Sequence, residues 1–215
     1  MRIEEFLNKF VEGYLFHDLE SMEKITLPTG QNDGAVGYPM VSTIMAGIEL
    51  LGNLLIPTSD AFNPNLGNNY FLNYWNIYLT KQYPIYTNLG SLFRKLIRHG
   101  IAHTFVAKPG ILVTKGTNQQ IKLDTPRQEL YVDCNVLFND FKQSYISLVK
   151  PIIFETSPYP LTTKANMQGR LDSMSARYSA DANTEFTSLS GLNSALTTFF
   201  TPTTRVSGAS TATTP

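Results

Sequence analysis

The chain is short of several things, and each shortage narrows the reading. It has one cysteine, Cys134, in 215 residues. A single thiol closes no intramolecular disulfide, which excludes a disulfide scaffold and fits a reducing compartment; Cys134 reads as a small apolar packing residue. No stretch reaches the roughly 18 to 20 uninterrupted apolar residues that a membrane-crossing helix requires. The opening MRIEEFLNKFVEGYLF interrupts its apolar residues with Glu4, Glu5, Lys9 and Glu12, whereas a secretory signal keeps them unbroken after a basic start. A cytoplasmic protein is expected. The Gly-x-x-x-x-Gly-Lys phosphate loop, the Gly-x-Ser-x-Gly nucleophile elbow and the glycine-rich dinucleotide fingerprint are all missing, so no motif points to those enzyme classes or to a cofactor.

Net charge is missing as well: 17 bases balance 17 acids, without the overall basicity usual in nucleic-acid-binding domains. The more informative absence is local. Residues 61–123 contain no Asp or Glu, yet hold Lys81, Arg94, Lys95, Arg98, Lys108, Lys115 and Lys122. Residues 1–60 carry nine acids and only Arg2, Lys9 and Lys24 as bases. Either the acid-free stretch holds an anion such as phosphate, or it packs beside the acidic N-terminal segment and is neutralised there. Segregation along the chain does not decide between the two.

What is present is a core. Hydrophobic residues make up 42% of the chain, enough for one domain at this length. Ile3, Phe6, Leu7, Phe10, Val11, Tyr14 and Leu15 follow the spacing of one helix face. Val41, Ile44, Met45, Ile48, Leu51 and Leu55 repeat it up to Pro57. Asn69 is placed to cap a third helix through Phe71, Tyr74, Trp75 and Tyr78, whose aromatic stripe reads as core rather than as a base-stacking platform. A fourth carries Leu89, Leu92, Phe93, Leu96, Ile97 and Ile101, and a fifth Leu137, Phe141, Tyr145 and Leu148, ending at Pro151. Between these last two, ILVT (111–114) and IKL (121–123) predict a β-hairpin across a polar link, with LYV (130–132) as a third short strand. The expected fold is mainly α, an up-and-down bundle of about five helices with a small β-hairpin insertion. Residues 1–155 form the domain, with the β-hairpin near 111–132. Residues 156–215 are read as a Ser/Thr-rich C-terminal extension, partly disordered, in which Leu189, Leu192, Leu196, Phe199 and Phe200 have the spacing of a short helix.

Chemistry concentrates in LFRKLIRHGIAHTFVAKPG, at the end of the fourth helix. His99 and His103 lie four residues apart, about 40° around a helix, and so share a face. Arg98 and His103 lie five apart, about 140° around, with Arg98 long enough to sweep part of the way. Arg and His near a helix C-terminus are also favoured by the helix dipole alone.

Arg98-His99-Gly100-Ile101-Ala102-His103 at the end of an apolar helix, with a polar residue directly after the arginine, resembles the Arg-x-x-x-x-His signature of the HEPN superfamily (higher eukaryotes and prokaryotes nucleotide-binding). The likeness covers about residues 1–155. The β-hairpin and the Thr/Ser tail are departures from the minimal family bundle and leave the subfamily open. The resemblance implies a homodimer that cleaves RNA without metal, two motifs facing across a cleft. His103 would exchange protons near neutral pH. Arg98 would hold the phosphate with its fork of donors, and His99 would orient the site. Arg94, Lys95 and Lys108 would contact flanking phosphates. The products would be a 2′,3′-cyclic phosphate and a 5′-hydroxyl. In a toxin or defence setting, an antitoxin partner would follow.

Two other readings stay open on the residues. The family also contains non-catalytic modules that dimerise or bind nucleotides or proteins, since fold does not guarantee activity. His99 and His103 also have the spacing of a helical zinc pair, but a third ligand is needed and His17 is the only other histidine.

Overall fold

The computed structural model describes residues 1–26, 36–58, 60–98, 109–157 and 161–188. Helix dominates, with one small sheet, as the periodicity predicts. Among the described residues there are six principal helices. α1 runs through Ile3–Phe6, Leu7–Phe16 and His17–Lys24 without a break, its middle wound at the wider π spacing. α2 is Gly37–Leu54. α3 joins Gly67–Tyr74, Trp75–Leu79 and Thr80–Gln82. α4 joins Gly90–Leu92 and Phe93–Arg98. α5 joins Cys134–Ser144 and Tyr145–Val149, followed by the 3-10 turn Lys150–Phe154. α6 is Lys164–Ser188.

The predicted apolar faces meet in one core. Leu7, Val11 and Phe16 of α1 face Ile44, Ile48 and Leu51 of α2, the aromatic stripe Phe71, Tyr74, Trp75 and Tyr78 of α3, Phe93 and Ile97 of α4, and Leu137, Phe141 and Tyr145 of α5; all are buried. The rings meet edge to face, Tyr74 against Phe141 at 5.5 Å and Phe16 against Phe141 at 5.7 Å, the arrangement that suits aromatic quadrupoles. α2 and α3 come closest of all. A Cβ on Gly52 would stand 1.8 Å from the Tyr70 carbonyl oxygen, so only glycine lets the two backbones touch, and the Asn73 amide donates to the Gly52 carbonyl at 2.9 Å.

Three local expectations change. Asn69 does not cap α3: Asn63 accepts the Asn65 N–H at the turn Pro64–Leu66, which leads directly into the helix. Proline at the start of that turn fixes φ and lacks an N–H, so the cap falls one residue before it.

The β-hairpin expected between 111–114 and 121–123 does not form. β1 (Ile111–Thr114), β2 (Lys122–Asp124) and β3 (Glu129–Asp133) order as β1-β3-β2, with β3 central, parallel to β1 and antiparallel to β2. The tight reversal is the 125–128 turn, where the Arg127 N–H donates to Asp124 and Gln128 takes φ 54°. Asp133 explains the geometry. One carboxylate oxygen accepts the Asn135 and Val136 N–H groups and caps α5. The other accepts the N–H and the hydroxyl of Thr117, both at 2.6 Å, and ties down the link that follows β1.

The C-terminal boundary also moves. One compact unit spans Met1–Met174 and a second Ser175–Pro215, so the chain from 164 to 174, read as extension, belongs to the first. Met167, Leu171 and Met174 are buried there, and the Thr163 hydroxyl caps the helix at Asn166. Polar side chains staple this part of α6. Gln168 accepts the Ile3 N–H at 2.7 Å and donates to the Met1 carbonyl at 3.1 Å; Ser173 accepts the Phe62 N–H at 2.7 Å. In the second unit, α6 continues with solvent-exposed side chains from 175 to 187 and carries an Arg177–Asp181 ion pair. The short helix expected around Leu189, Leu192, Leu196, Phe199 and Phe200 lies outside the described residues. No helix among the described residues is long and apolar enough to cross a membrane.

Candidate functional site

The helix expected to carry the chemistry is α4. The chain enters it through Asn88 at φ 66°, and Gly90 lies where a Cβ would meet Trp75 at 2.8 Å. Phe93 and Ile97, one turn apart, face the core, with Phe93 4.6 Å from the Trp75 ring. The opposite face is therefore outward: Ser91 and Lys95, again one turn apart, are both exposed.

The predicted site residues separate. Arg94 turns inward, its guanidinium 3.8 Å from the Glu49 carboxylate of α2 with only 13% of the side chain exposed. Gly67 makes this meeting possible, because a Cβ there would sit 2.4 Å from Glu49 Oε1 and 3.5 Å from Arg94 Nη2. Lys95 is exposed and makes no ion pair among the described residues. Arg98 closes α4 by its backbone, and its side chain, together with His99, His103 and Lys108, lies outside the described residues. His17 is exposed on α1. Among the described residues no cluster of His, Cys, Asp or Glu is placed to hold a metal ion.

The acids of α1 have partners elsewhere. Glu20, Glu12 and Glu4 pair with Lys142, Lys150 and Lys164, so an eight-residue step down α1 climbs α5 and then α6 in the opposite direction. Lys142 and Lys164 hold the Glu20 and Glu4 carboxyls below the usual range, chiefly by hydrogen bonding. A cleft of about 280 Å³ lies between two of these rungs, lined by Glu12, Glu20, Lys142, Lys150, Phe16 and Ile146 among others, its charges already paired. A second cleft, of about 300 Å³, opens between α3 and the start of α4, lined by Asn76, Thr80, Thr87, Asn88, Gly90 and Ser91. Every side chain on it is neutral.

Sequence reasoning passed over one cluster. Asp140 of α5 is 8% exposed, and its carboxylate accepts the Tyr86 hydroxyl at 2.7 Å, with Tyr83 beside it. Burial holds the Asp140 carboxyl above the ordinary range, and the two tyrosines work against that shift. Leu137 and Phe141 mark α5 as amphipathic, but the sequence carries no sign that Asp140 turns inward. Cys134 is buried, and burial with the neighbouring Asp133 charge pushes its thiol up to about 12. It is an inert packing group at neutral pH, as expected.

Comparison with known proteins finds no matching family model, no matching curated protein and no matching solved structure.

Proposed function

We propose that the chain is a metal-independent endoribonuclease of HEPN type, acting as a dimer. The reading rests on the Arg98-to-His103 motif at the end of an apolar helix and on the mainly helical fold around it. One observation carries it beyond the motif. Of the two accounts of the acid-free stretch, neutralisation by the acidic N-terminal segment is met at Arg94 by Glu49, whereas Glu4, Glu12 and Glu20 of the first helix are engaged by Lys164, Lys150 and Lys142. Lys95, on the outward face of α4, keeps its charge toward solvent. An acid-free helix face with an exposed lysine and a neutral polar cleft at its start suits a polyanion.

In the proposed reaction the 2′-hydroxyl attacks the adjacent phosphorus and the 5′-oxygen leaves, giving a 2′,3′-cyclic phosphate and a 5′-hydroxyl. His103 takes or returns a proton, His99 orients the site, and Arg98 holds the phosphate oxygens as charge accumulates on them. Lys95 and Lys108 attract the flanking backbone. Arg94 serves the helix instead: an inward ion pair with Glu49 fixes α4 against α2. Toxin or defence activity, with an antitoxin partner, is the biological setting proposed.

The test is incubation of labelled RNA with the protein in EDTA, wild type against His103→Ala. Cleavage that survives EDTA, leaves cyclic-phosphate ends and disappears in the variant supports the reading. Absence of cleavage on every RNA tried overturns it in favour of a non-catalytic module.

A further inference from the structure

A buried carboxylate is a costly thing to place in a core, and an apolar residue of similar size is often as stable. Asp140 is such a group, and the residue that donates to it, Tyr86, lies with its neighbour Tyr83 in the short segment that leads into α4. From there the connections are continuous. The Tyr86 carbonyl accepts the Trp75 indole N–H at 3.0 Å, and the two rings stand edge to face at 5.4 Å. The Leu89 N–H donates to the same Tyr86 carbonyl at 3.1 Å, and the Phe93 N–H to the Leu89 carbonyl at 2.9 Å, which is already the first turn of α4. Phe93 then packs on Trp75.

We propose that Asp140 is a positioning residue: through the hydroxyl of Tyr86 it fixes the turn on which α4 is mounted, and so sets where the helix ending in Arg98 stands relative to the core. Its catalytic consequence rests on the ribonuclease reading above; the mechanical coupling does not. Among the described residues, the tyrosines are the polar neighbours that bear on its ionisation. A shift of α4 by about 1 Å is enough to matter, since misplacement on that scale from a remote change costs up to about a hundredfold in rate.

The experiment uses the full chain and its single tryptophan. Tyr86→Phe, Tyr83→Phe, Asp140→Ala and Asp140→Asn are compared with wild type by Trp75 emission, by amide hydrogen exchange across 84–98 and Gly37–Leu54, and by kcat and KM for RNA cleavage in EDTA. The expected result for Tyr86→Phe is altered Trp75 emission and faster exchange across 84–98, with α2 unchanged. Its kcat falls about 10- to 100-fold while KM stays within about twofold. Asp140→Asn, which keeps one acceptor, recovers part of what Asp140→Ala loses, and Tyr83→Phe, at a half-buried ring beside Tyr86, gives a milder form of the same pattern if Tyr86→Phe fails to fold. Unchanged emission and exchange in folded variants overturn the proposal. If exchange changes as stated but wild type cleaves no RNA, the coupling stands and the ribonuclease reading falls.

Discussion

Arg170 shows how one residue replaces a charge partner with geometry. Its side chain is 1% exposed, and no carboxylate meets it among the described residues. Its Nε donates to the Asn53 carbonyl at 3.2 Å, its two terminal nitrogens donate to the Asn53 side-chain oxygen and the Asp60 carbonyl, and the group lies 5.4 Å over the Tyr70 ring. Asn53 is in the last turn of α2, where unpaired carbonyls and the helix dipole present negative charge. The guanidinium thus acts as the C-cap of a helix more than a hundred residues away in sequence. Arg170→Met takes the donor from the buried Asn53 side-chain oxygen and removes the bonds to the Asn53 and Asp60 carbonyls, and is expected to cost on the order of 3 kcal/mol, read from the urea midpoint. Arg170→Lys, with a compact ammonium in place of a fork, is expected to recover only part of it.

Asp140 supplies the opposite lesson in pH. Its folded-state pKa is raised, so its contribution is greatest when it is protonated, below about 3.9, and declines as pH rises through the raised value. Asn has no ionised form. The stability of Asp140→Asn relative to wild type should therefore improve as pH rises from the ordinary carboxylate range through the raised value and then level off, measured by denaturation at each pH. A constant difference would show that the carboxyl titrates normally.

At the scale of elements, the pairing of α1 with α5 and α6 is set by charges in register, Glu20 with Lys142, Glu12 with Lys150 and Glu4 with Lys164. Each pair is partly exposed, and exposed pairs contribute little singly because solvent screens them. Their value here is to choose direction and register for helices whose apolar faces tolerate slippage. Glu4 and Glu20 have lowered pKa values, so their contribution is present above the ordinary carboxylate range near 4.3 and is lost as pH falls through the folded values. Amide exchange across Leu7–Lys24 should accelerate below about pH 4, and high salt should reduce the difference between neutral and acid conditions. Gly52→Ala tests the other kind of helix contact. A methyl at 1.8 Å from the Tyr70 carbonyl must force α2 and α3 apart, at about 3 kcal/mol, visible as a lowered Tm.

The elements also show where sequence reading succeeds and where it stops. α1 to α5 announce themselves because Ile3 to Leu15, Val41 to Leu55 and their counterparts bury one face at helical spacing. α6 does not. Met167, Leu171 and Met174 are spaced correctly but scattered among Ser, Thr, Ala and Asn, and it is Gln168, Arg170 and Ser173, through long-range hydrogen bonds, that secure it. The strands were legible as strands; their pairing was not, because it depends on Asp133 serving α5 and the Thr117 turn together. The site divides in the same way. Arg98 to His103 can be found because it is local, whereas Asp140 with Tyr83 and Tyr86 joins residues more than fifty positions apart.

For the whole molecule the relevant quantity is where charge is left over after pairing. The chain is neutral in sum, its first helix pairs three acids with Lys142, Lys150 and Lys164, and Lys95 is left as excess charge, exposed and with no ion pair among the described residues. Lys95 probes that excess without touching the core. Lys95→Ala should leave Tm unchanged, weaken RNA binding with little dependence on sequence, and lower the slope of log affinity against log salt by about 0.7 to 0.9. Arg94→Ala should do the reverse, lowering Tm by removing the partner of Glu49. A drop in Tm for Lys95→Ala would place that residue inside the fold and remove it from the binding face.

Gln168 fastens Met1 and Ile3, and that has a consequence for synthesis. The ribosome makes the first helix long before the amide that secures its start. Until Gln168 has been made and has docked, the N-terminal edge of α1 is open to exchange and to proteases, whatever the rest of the bundle has achieved. Maturation of the Met1–Met174 unit is thus timed by its last segment, and a chain stopped at residue 163 should show cleavage at its first residues under mild proteolysis while the α2–α3 pair stays intact.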